Sequence, residues 1–316
     1  MNQPADIPRL SVVLCTHNPD TDILDETVDH LRGQTLATDQ WEFVLVDNAS
    51  DPPLRTDLAW HPAGRVVPES ELGLTPARLR GIAETRAPLI LFVDDDNFLQ
   101  PDFLEGLLEH ADRHPQIGAF GARVEPAFAG TPPPWIGEHL YQLAIQQPDE
   151  DIWCCSRLAN PCIPCGAGLC VRREVAEAYA RRVGDDPGRR DLDRKGRSLL
   201  SAGDTDLALT ACDLGLATGL FSRPTMKHHL PARRLTEAYL VDLHRMQEAS
   251  GVLLRALRND GHDPRPRPYA GWKGTVRRWV RRGLMSRRDR AFDRAAEAGR
   301  VLGQSLLDDM KRKSRG

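Results

Sequence analysis

The sequence predicts an α/β protein: a mostly parallel central sheet with helices on both faces, and a helical C-terminal extension. Three observations carry this. Short apolar, β-branched runs alternate with helix-period patterns through the N-terminal third. Polar clusters follow three of those runs, where open α/β sheets bind their ligands. From Arg265 onward the composition changes, with sixteen Lys/Arg against five Asp/Glu.

The elements follow in order. Leu10 to Cys15 is a buried-strand pattern. Asp22 to Arg32 places Ile23, Thr27, Val28 and Leu31 at helical spacing, and Gly33 stops the helix. Phe43 to Val46 is a second strand, closed by the turn-rich run Asp47 to Pro53. Thr75 to Thr85 is a helix with Pro76 in its first turn. Leu89 to Val93 is the strongest strand, Pro101 to His114 an amphipathic helix, and Ile117 to Val124 a further strand. Thr131 to Trp135 is proline-broken. Leu169 to Val171 is an apolar run before a helix that starts at Arg173. The charged, glycine-containing stretch Gly184 to Arg197 reads as a mobile loop. Asp204 to Leu214 and Leu235 to Leu257 carry helical patterns. Asp263 to Pro268 is a linker, so residues 1–262 form the body and residues 263–316 a basic, helical tail.

With 316 residues, 41% hydrophobic and 28% charged, the chain can bury a large core. No run of eighteen apolar residues is present, so no transmembrane helix is expected. The first residues lack a basic start followed by an apolar stretch, so no secretory signal is expected. Seven cysteines in such a chain suggest thiols in a reducing cytosol.

Asp94-Asp95-Asp96 closes the strongest strand. Three adjacent carboxylates repel one another unless a cation lies among them. Hard divalent ions, Mn²⁺ or Mg²⁺, prefer carboxylate and phosphate oxygens, so the cluster suits a metal that holds a diphosphate. Asp47 ends an earlier strand in the same way. The first strand-to-helix turn reads Cys15-Thr16-His17-Asn18-Pro19, with no GxGxxG, and no Walker A motif exists. Nicotinamide dehydrogenases and P-loop enzymes are thereby excluded, and phosphates would be held by metal rather than by a glycine loop.

Six ordered stretches resemble the inverting family 2 glycosyltransferases: LSVVLCTHNP at 10–19, FVLVDNAS at 43–50, ELGLTPARLRGI at 71–82, LILFVDDDNFLQPDFL at 89–104, GAGLCVRREV at 166–175 and AGDTDLALTACDLG at 202–215. The resemblance covers about residues 8 to 240. It implies a glycosyltransferase A fold and transfer of one sugar from a nucleotide-diphospho-sugar to a hydroxyl of a saccharide or lipid-linked acceptor. Processive synthases of the family are less similar, since the QxxRW motif is absent.

The resemblance also implies roles. Thr16, His17 and Asn18 would wrap the base, Asp47 contact the nucleoside, and Arg78 lie near the nucleotide. Asp96 would bind metal while Asp94 or Asp95 reaches the ribose. Asp204 matches the aspartate of the family's Glu-Asp pair, the base that takes the acceptor's proton. The glutamate position is Gly203, a departure, with Asp206 as runner-up for the base. His229 is the preferred further metal ligand over His228, and Arg234 a phosphate holder. Gly166 and Gly168 would lie near the acceptor.

Cys162 and Cys165 could give half a zinc site, but a second CxxC is missing and adjacent Cys154-Cys155 suit a tetrahedron poorly. In the tail, Trp272, Val276, Trp279, Val280 and Leu284 interleave with basic residues, a pattern suited to an anionic membrane surface or to a helix packed on the acidic body, rather than to nucleic acid. A cytoplasmic enzyme, peripheral on the inner face of the membrane, is the expectation. The alternatives are a catalytically inactive nucleotide-sugar-binding or scaffold protein, which Gly203 suggests, and a nucleotidyltransferase, which lacks its glycine-rich loop here.

Overall fold

The structure is a computed structural model that describes residues 7–158, 160–196, 198–258 and 285–313. Its centre is a mixed sheet of nine strands: β1 (Leu10–Thr16), β2 (Trp41–Asn48), β3 (Gly64–Glu69), β4 (Leu89–Asp94), β5 (Asn97–Leu99), β6 (Ile117–Phe128), β7 (Ile152–Cys154), β8 (Leu169–Arg172) and β9 (Ala217–Leu230). The spatial order is β3-β2-β1-β4-β8-β6-β9-β5, with β7 also on β9. β1 to β4, β6 and β9 run one way, and β5, β7 and β8 run antiparallel to their neighbours.

Alternation along the strands builds two cores. Val12 and Leu14 of β1 face one layer, with Leu24, Val28 and Leu31 of α1 (Thr21–Arg32) and Leu104 and Leu107 of α3 (Phe103–Arg113). Val13 and Cys15 face the other, with Ala77 and Ile82 of α2 (Leu74–Glu84), Val175 and Tyr179 of α4 (Arg173–Asp185), and Leu207 and Ala211 of α5 (Gly203–Asp213). Both faces are covered, so β1, β2 and β4 are apolar almost throughout. Asp20 caps α1 by accepting the Asp22 N–H, and Gly33 ends it. A Cβ at Gly81 would collide with Val13, so glycine lets α2 lie close on β1.

Four strands lie outside the sequence expectation. β5 and β7 are three residues long, too short to show a period. β3 carries Arg65 and Pro68, and the fourteen-residue β9 contains Pro224 and three basic or imidazole side chains in its second half, Lys227, His228 and His229. The expected mobile loop at Gly184 to Arg197 is replaced by the end of α4, a 3-10 turn at Pro187–Asp191, and buried Leu192 and Asp193.

The C-terminal extension is helical where it is described. α7 (Arg287–Lys313) packs on α6 (Glu237–Leu257) through Leu307, Leu302 and Met310 against Leu253 and Ala249, with Leu192 and Leu200 in the same cluster. A Cβ at Gly303 would come within 2.7 Å of the Ala249 carbonyl, so glycine permits the close crossing. The interleaved stripe from Trp272 to Leu284 lies outside the described residues. Among the described residues no helix is long and apolar enough to cross a membrane. All seven cysteines are free, and no group of three or more His, Cys, Asp or Glu among the described residues could hold a metal by itself. The half zinc site at Cys162 and Cys165 is therefore not completed there.

Asp206 has no exposure and sits between two guanidinium groups. Its carboxylate accepts from Arg189 Nη1 at 2.7 Å and from Arg258 Nε at 2.7 Å. Arg258 continues to Asp213 at 3.0 Å, and Arg189 donates to the Leu257 carbonyl. This buried network fixes α5 to the end of α6 and to the 3-10 turn before Leu192. Replacing Asp206 by Asn removes the anion and leaves two buried cations facing each other. The expected loss is about 3–5 kcal/mol of unfolding free energy, read from denaturant midpoints. An Asp206→Asn protein as stable as wild type would show that the network carries no weight.

Candidate active site

The carboxyl ends of β1, β2 and β4 meet at one rim, as the strand order requires. There they border a cleft of about 260 Å³ lined by Cys15, Thr16, His17, Asn48, Arg78, Asp94, Asp95, Asp96, Gly166, Asp193, Arg194, Asp204, His228 and Arg234. Gln142 to Ala144 and the α6 residues Tyr239 and Leu243 complete its wall.

The three acids do not share charge equally. Burial above all, and then Asp96, raises Asp94. The same causes in the same order lift Asp95 to about 7, against a hydrogen bond from Thr16 Oγ1. Asp96 behaves differently. Burial works against its charge, yet His228 and Arg234 beside it hold its carboxyl well below the usual range. Asp96 is thus the member whose charged form the site favours.

His228 is 5% exposed, and its ring is oriented by its partners. Nδ1 donates to the Leu143 carbonyl at 3.0 Å, which turns Nε2 toward the cleft. Asp96 Oδ1 lies 3.3 Å from Nε2, and Arg234 Nη1 donates to Asp96 Oδ2 at 3.2 Å and lies 3.3 Å from Nε2. Burial disfavours the charge on Arg234, but Asp96, Tyr239, Asp94 and Asp95 raise its pKa and keep it cationic.

Arg78 lies on α2, only 3% exposed, with its guanidinium 5.9 Å from the Phe92 ring centre. Its Nη1 donates to Asp193 Oδ2 at 2.8 Å. Burial opposes its charge, and Asp193, Asp204 and Asp94 restore it. Asp204 opens α5. Its Oδ2 accepts the Gly166 N–H at 2.8 Å and its Oδ1 the Thr205 N–H at 2.7 Å. Cys15 is no nucleophile, because burial above all pushes its thiol up to about 12.

Thr16, His17, Arg78, Asp94, Asp95, Asp96, Gly166, Asp204, His228 and Arg234 therefore converge on one cleft. Five other residues singled out in the sequence do not line it. His229 faces the Phe98 ring, and only its backbone N–H reaches Asp96, so His228 takes the place expected for His229. Asp47 has both oxygens occupied by the Ser50 and Leu54 N–H groups; it shapes the loop, while its neighbour Asn48 reaches the cleft. Asn18 ties the same loop, accepting from the Asp51 N–H and donating its own N–H to Ser50 Oγ. Gly168 has φ +72° and little room beside Met226, a requirement of the turn. Asp206 is committed to Arg189 and Arg258 and is excluded as a base facing the cleft.

Sequence reasoning passed over Asp193, Arg194, Asn48, Gln142 and Tyr239. The one available signal for Asp193 was Leu192 beside it, a lone apolar residue in a charged run. Asn48 belongs to the strand-end cluster Asp47-Asn48, but the sequence assigns it no contact of its own. It holds the next loop, with Oδ1 accepting the Gly73 N–H at 2.8 Å and Nδ2 donating to the Glu71 carbonyl at 2.7 Å.

Comparison with known proteins adds the family. The uncharacterized protein y4gI of Sinorhizobium fredii is 34% identical over 114 residues, 34% of this chain and 12% of that protein. The putative glycosyltransferase EpsH of Bacillus subtilis is 28% identical over 108 residues, 33% of this chain and 30% of EpsH. The glucosyl-dolichyl phosphate glucuronosyltransferase of Haloferax volcanii is 25% identical over 140 residues, 43% of this chain and 44% of the enzyme. The chain thus spans less than half the length of these curated relatives. Among solved structures, S. aureus TarS 1-349 in complex with UDP-GlcNAc aligns with a TM-score of 0.47 and 15% identity, over 79% of this chain and 72% of that one. Residues 11–170, just over half of the chain, match the family model described as glycosyl transferase family 2, and the chain belongs to that family.

Proposed function

We propose that the cleft binds a nucleotide-diphospho-sugar and transfers one sugar, with inversion, to a hydroxyl of a saccharide or lipid-linked acceptor in polysaccharide or glycolipid assembly. The observation that carries this reading is a cleft holding two separate carboxylate functions: Asp96 in a cation-seeking cluster with His228, and Asp204 held alone at a helix start. The lipid-linked option draws support from the archaeal relative, whose name includes a dolichyl phosphate sugar.

A divalent ion, Mn²⁺ or Mg²⁺, fits Asp96 and His228. Asp96 Oδ1 and His228 Nε2 lie 3.3 Å apart at the cleft, and a carboxylate oxygen and an imidazole nitrogen are both ligand types for such an ion. Such ions take few protein ligands when phosphate oxygens and water supply the rest. When bound, the ion would act as a Lewis acid that offsets the charge gathering on the departing diphosphate. Arg234 stands beside the pair as a fixed cation and can donate to phosphate oxygens.

Asp204 performs the proton step in this reading. Two backbone N–H donors hold this carboxylate, at the start of α5, in one orientation. Such a carboxylate accepts the acceptor hydroxyl's proton as that oxygen attacks the anomeric carbon. Inversion follows from a single displacement, with no protein nucleophile. Asp204→Asn should keep donor affinity within a few-fold and lower turnover by about a hundred- to ten-thousandfold. Turnover within threefold of wild type would remove Asp204 from the base's role.

Donor affinity, read by calorimetry, should fall at least tenfold in chelator. Asp96→Asn and His228→Ala should each abolish the gain that Mn²⁺ gives, while His229→Ala should keep it. Equal affinity with and without metal would sink the metal assignment.

We place the protein in the cytoplasm, with its basic tail against anionic lipid. Sixteen Lys/Arg from Arg265 onward support this, at about 1 kcal/mol of attraction per basic residue close to such a surface. Replacing Arg277, Arg278, Arg281 and Arg282 by Glu should lower sedimentation with phosphatidylserine vesicles at low salt. A wild-type protein that ignores those vesicles contradicts the assignment.

A further inference from the structure

Asp193 joins parts of the site that lie far apart in the chain. Its Oδ2 accepts from Arg78 Nη1 at 2.8 Å and from Thr75 Oγ1 at 3.2 Å, both on α2. Its Oδ1 accepts the Gly203 N–H at 3.1 Å, at the first residue of α5. Asp193 and Arg78 are each 3% exposed, so the pair is shielded from water and each partner depends on the other.

Gly203 shows the same contact from the other side. It is the first residue of α5. A Cβ at this position would fall inside the Asp193 carboxylate. Glycine is required because the carboxylate of residue 193 fills the space that a side chain at 203 would enter. The next residue is Asp204, whose Oδ2 accepts the Gly166 N–H. Gly166 is pinched in turn: a Cβ there would lie 2.6 Å from Arg78 Nη2 and 3.1 Å from Asp204 Oδ2. Arg78, Asp193, Gly203, Asp204 and Gly166 therefore form a closed ring of contacts around the cleft floor.

The segment bearing Asp193 is itself anchored. Leu192 has no exposure and packs with Leu200 against α6 and α7, and its carbonyl accepts the Ala202 N–H at 3.0 Å.

We propose that Asp193 is the positioning carboxylate of this site: it fixes Arg78 and the first turn of α5, and so aims Asp204, supplying from a neighbouring turn the acid that position 203 lacks. The inference rests on the sugar-transfer reading for its catalytic consequence. The packing relation between 193 and 203 is independent of that reading. Gly203 then marks a relocated carboxylate and not a site that has lost its function.

Two experiments on the full chain test this. In a melting cycle, Gly203→Ala lowers the thermal midpoint in the wild-type background and leaves it unchanged or raised in an Asp193→Ala background. An equal fall in both backgrounds would overturn the packing claim, whatever the protein catalyses. In an activity cycle, Asp193→Gly and Gly203→Glu each lower kcat at least a hundredfold. The double variant, which moves the acid from 193 to 203, recovers to within tenfold of wild type, far from the product of the single losses. A double variant that melts like wild type but stays as inactive as the worse single would overturn the positioning role and leave a structural one. If the wild-type chain transfers no sugar from UDP-, GDP- or dTDP-sugar donors, the transfer reading fails, and the melting cycle still decides the packing claim.

Discussion

Arg78 is a guanidinium buried among the strands and helices of the second core layer, beside the Phe92 ring. A cation so placed costs several kcal/mol unless an anion and further hydrogen bonds compensate it. That requirement organises the cleft. Asp193 must be buried with it, which draws the turn after Pro187–Asp191 inward. The turn then needs apolar cover, given by Leu192 and Leu200 under α6 and α7. The start of α5 must accommodate the same carboxylate, which leaves room only for glycine at 203. The C-terminal helix, far from the strand ends in sequence, thereby bears on where Arg78 and Asp204 point.

The acid triplet is a second constraint, solved differently. Three adjacent carboxylates cannot all ionise in a buried pocket. Here the burden is divided: Asp94 and Asp95 are driven toward their neutral forms, and Asp96 is kept charged by His228 and Arg234. Thr16 and Thr27 hold Asp95 by side chain and backbone, so the triplet is fixed to β1 and α1 as well as to its own strand. The triplet thus presents one carboxylate favoured in its charged form beside two pushed toward neutrality.

What was legible in the sequence follows from range of interaction. β1, β2 and β4 are apolar on both faces, and their ends carry polar clusters; both facts are local, and both appear in the structure. Asp204 was legible as the first acid of a helix. Asp193 was not, because Asp191-Leu192-Asp193-Arg194-Lys195 has the composition of a solvated loop. Its burial is decided by helices forty and more residues away along the chain and by a guanidinium on α2. Asp206 lies two residues after Asp204 and so on another face of the helix, and only the positions of Arg189 and Arg258 show that this face is turned inward.

The histidine pair shows how a strand decides what composition leaves open. His228 and His229 are adjacent, so sequence alone permits either to serve the cleft. In a strand, successive side chains point to opposite faces, so only one of the two can. β9 pairs antiparallel with β5, with His228 opposite Asn97 and Lys227 opposite Phe98. Asn97 follows Asp96 directly and holds the turn by accepting the Asp94 N–H through Oδ1. That register brings the His228 ring to Asp96 and sends the His229 ring toward Phe98. A one-residue slip of β9 would exchange the two. The register is held along the other edge by ten paired positions with β6. The long strand that the sequence concealed is therefore what selects the imidazole at the cleft.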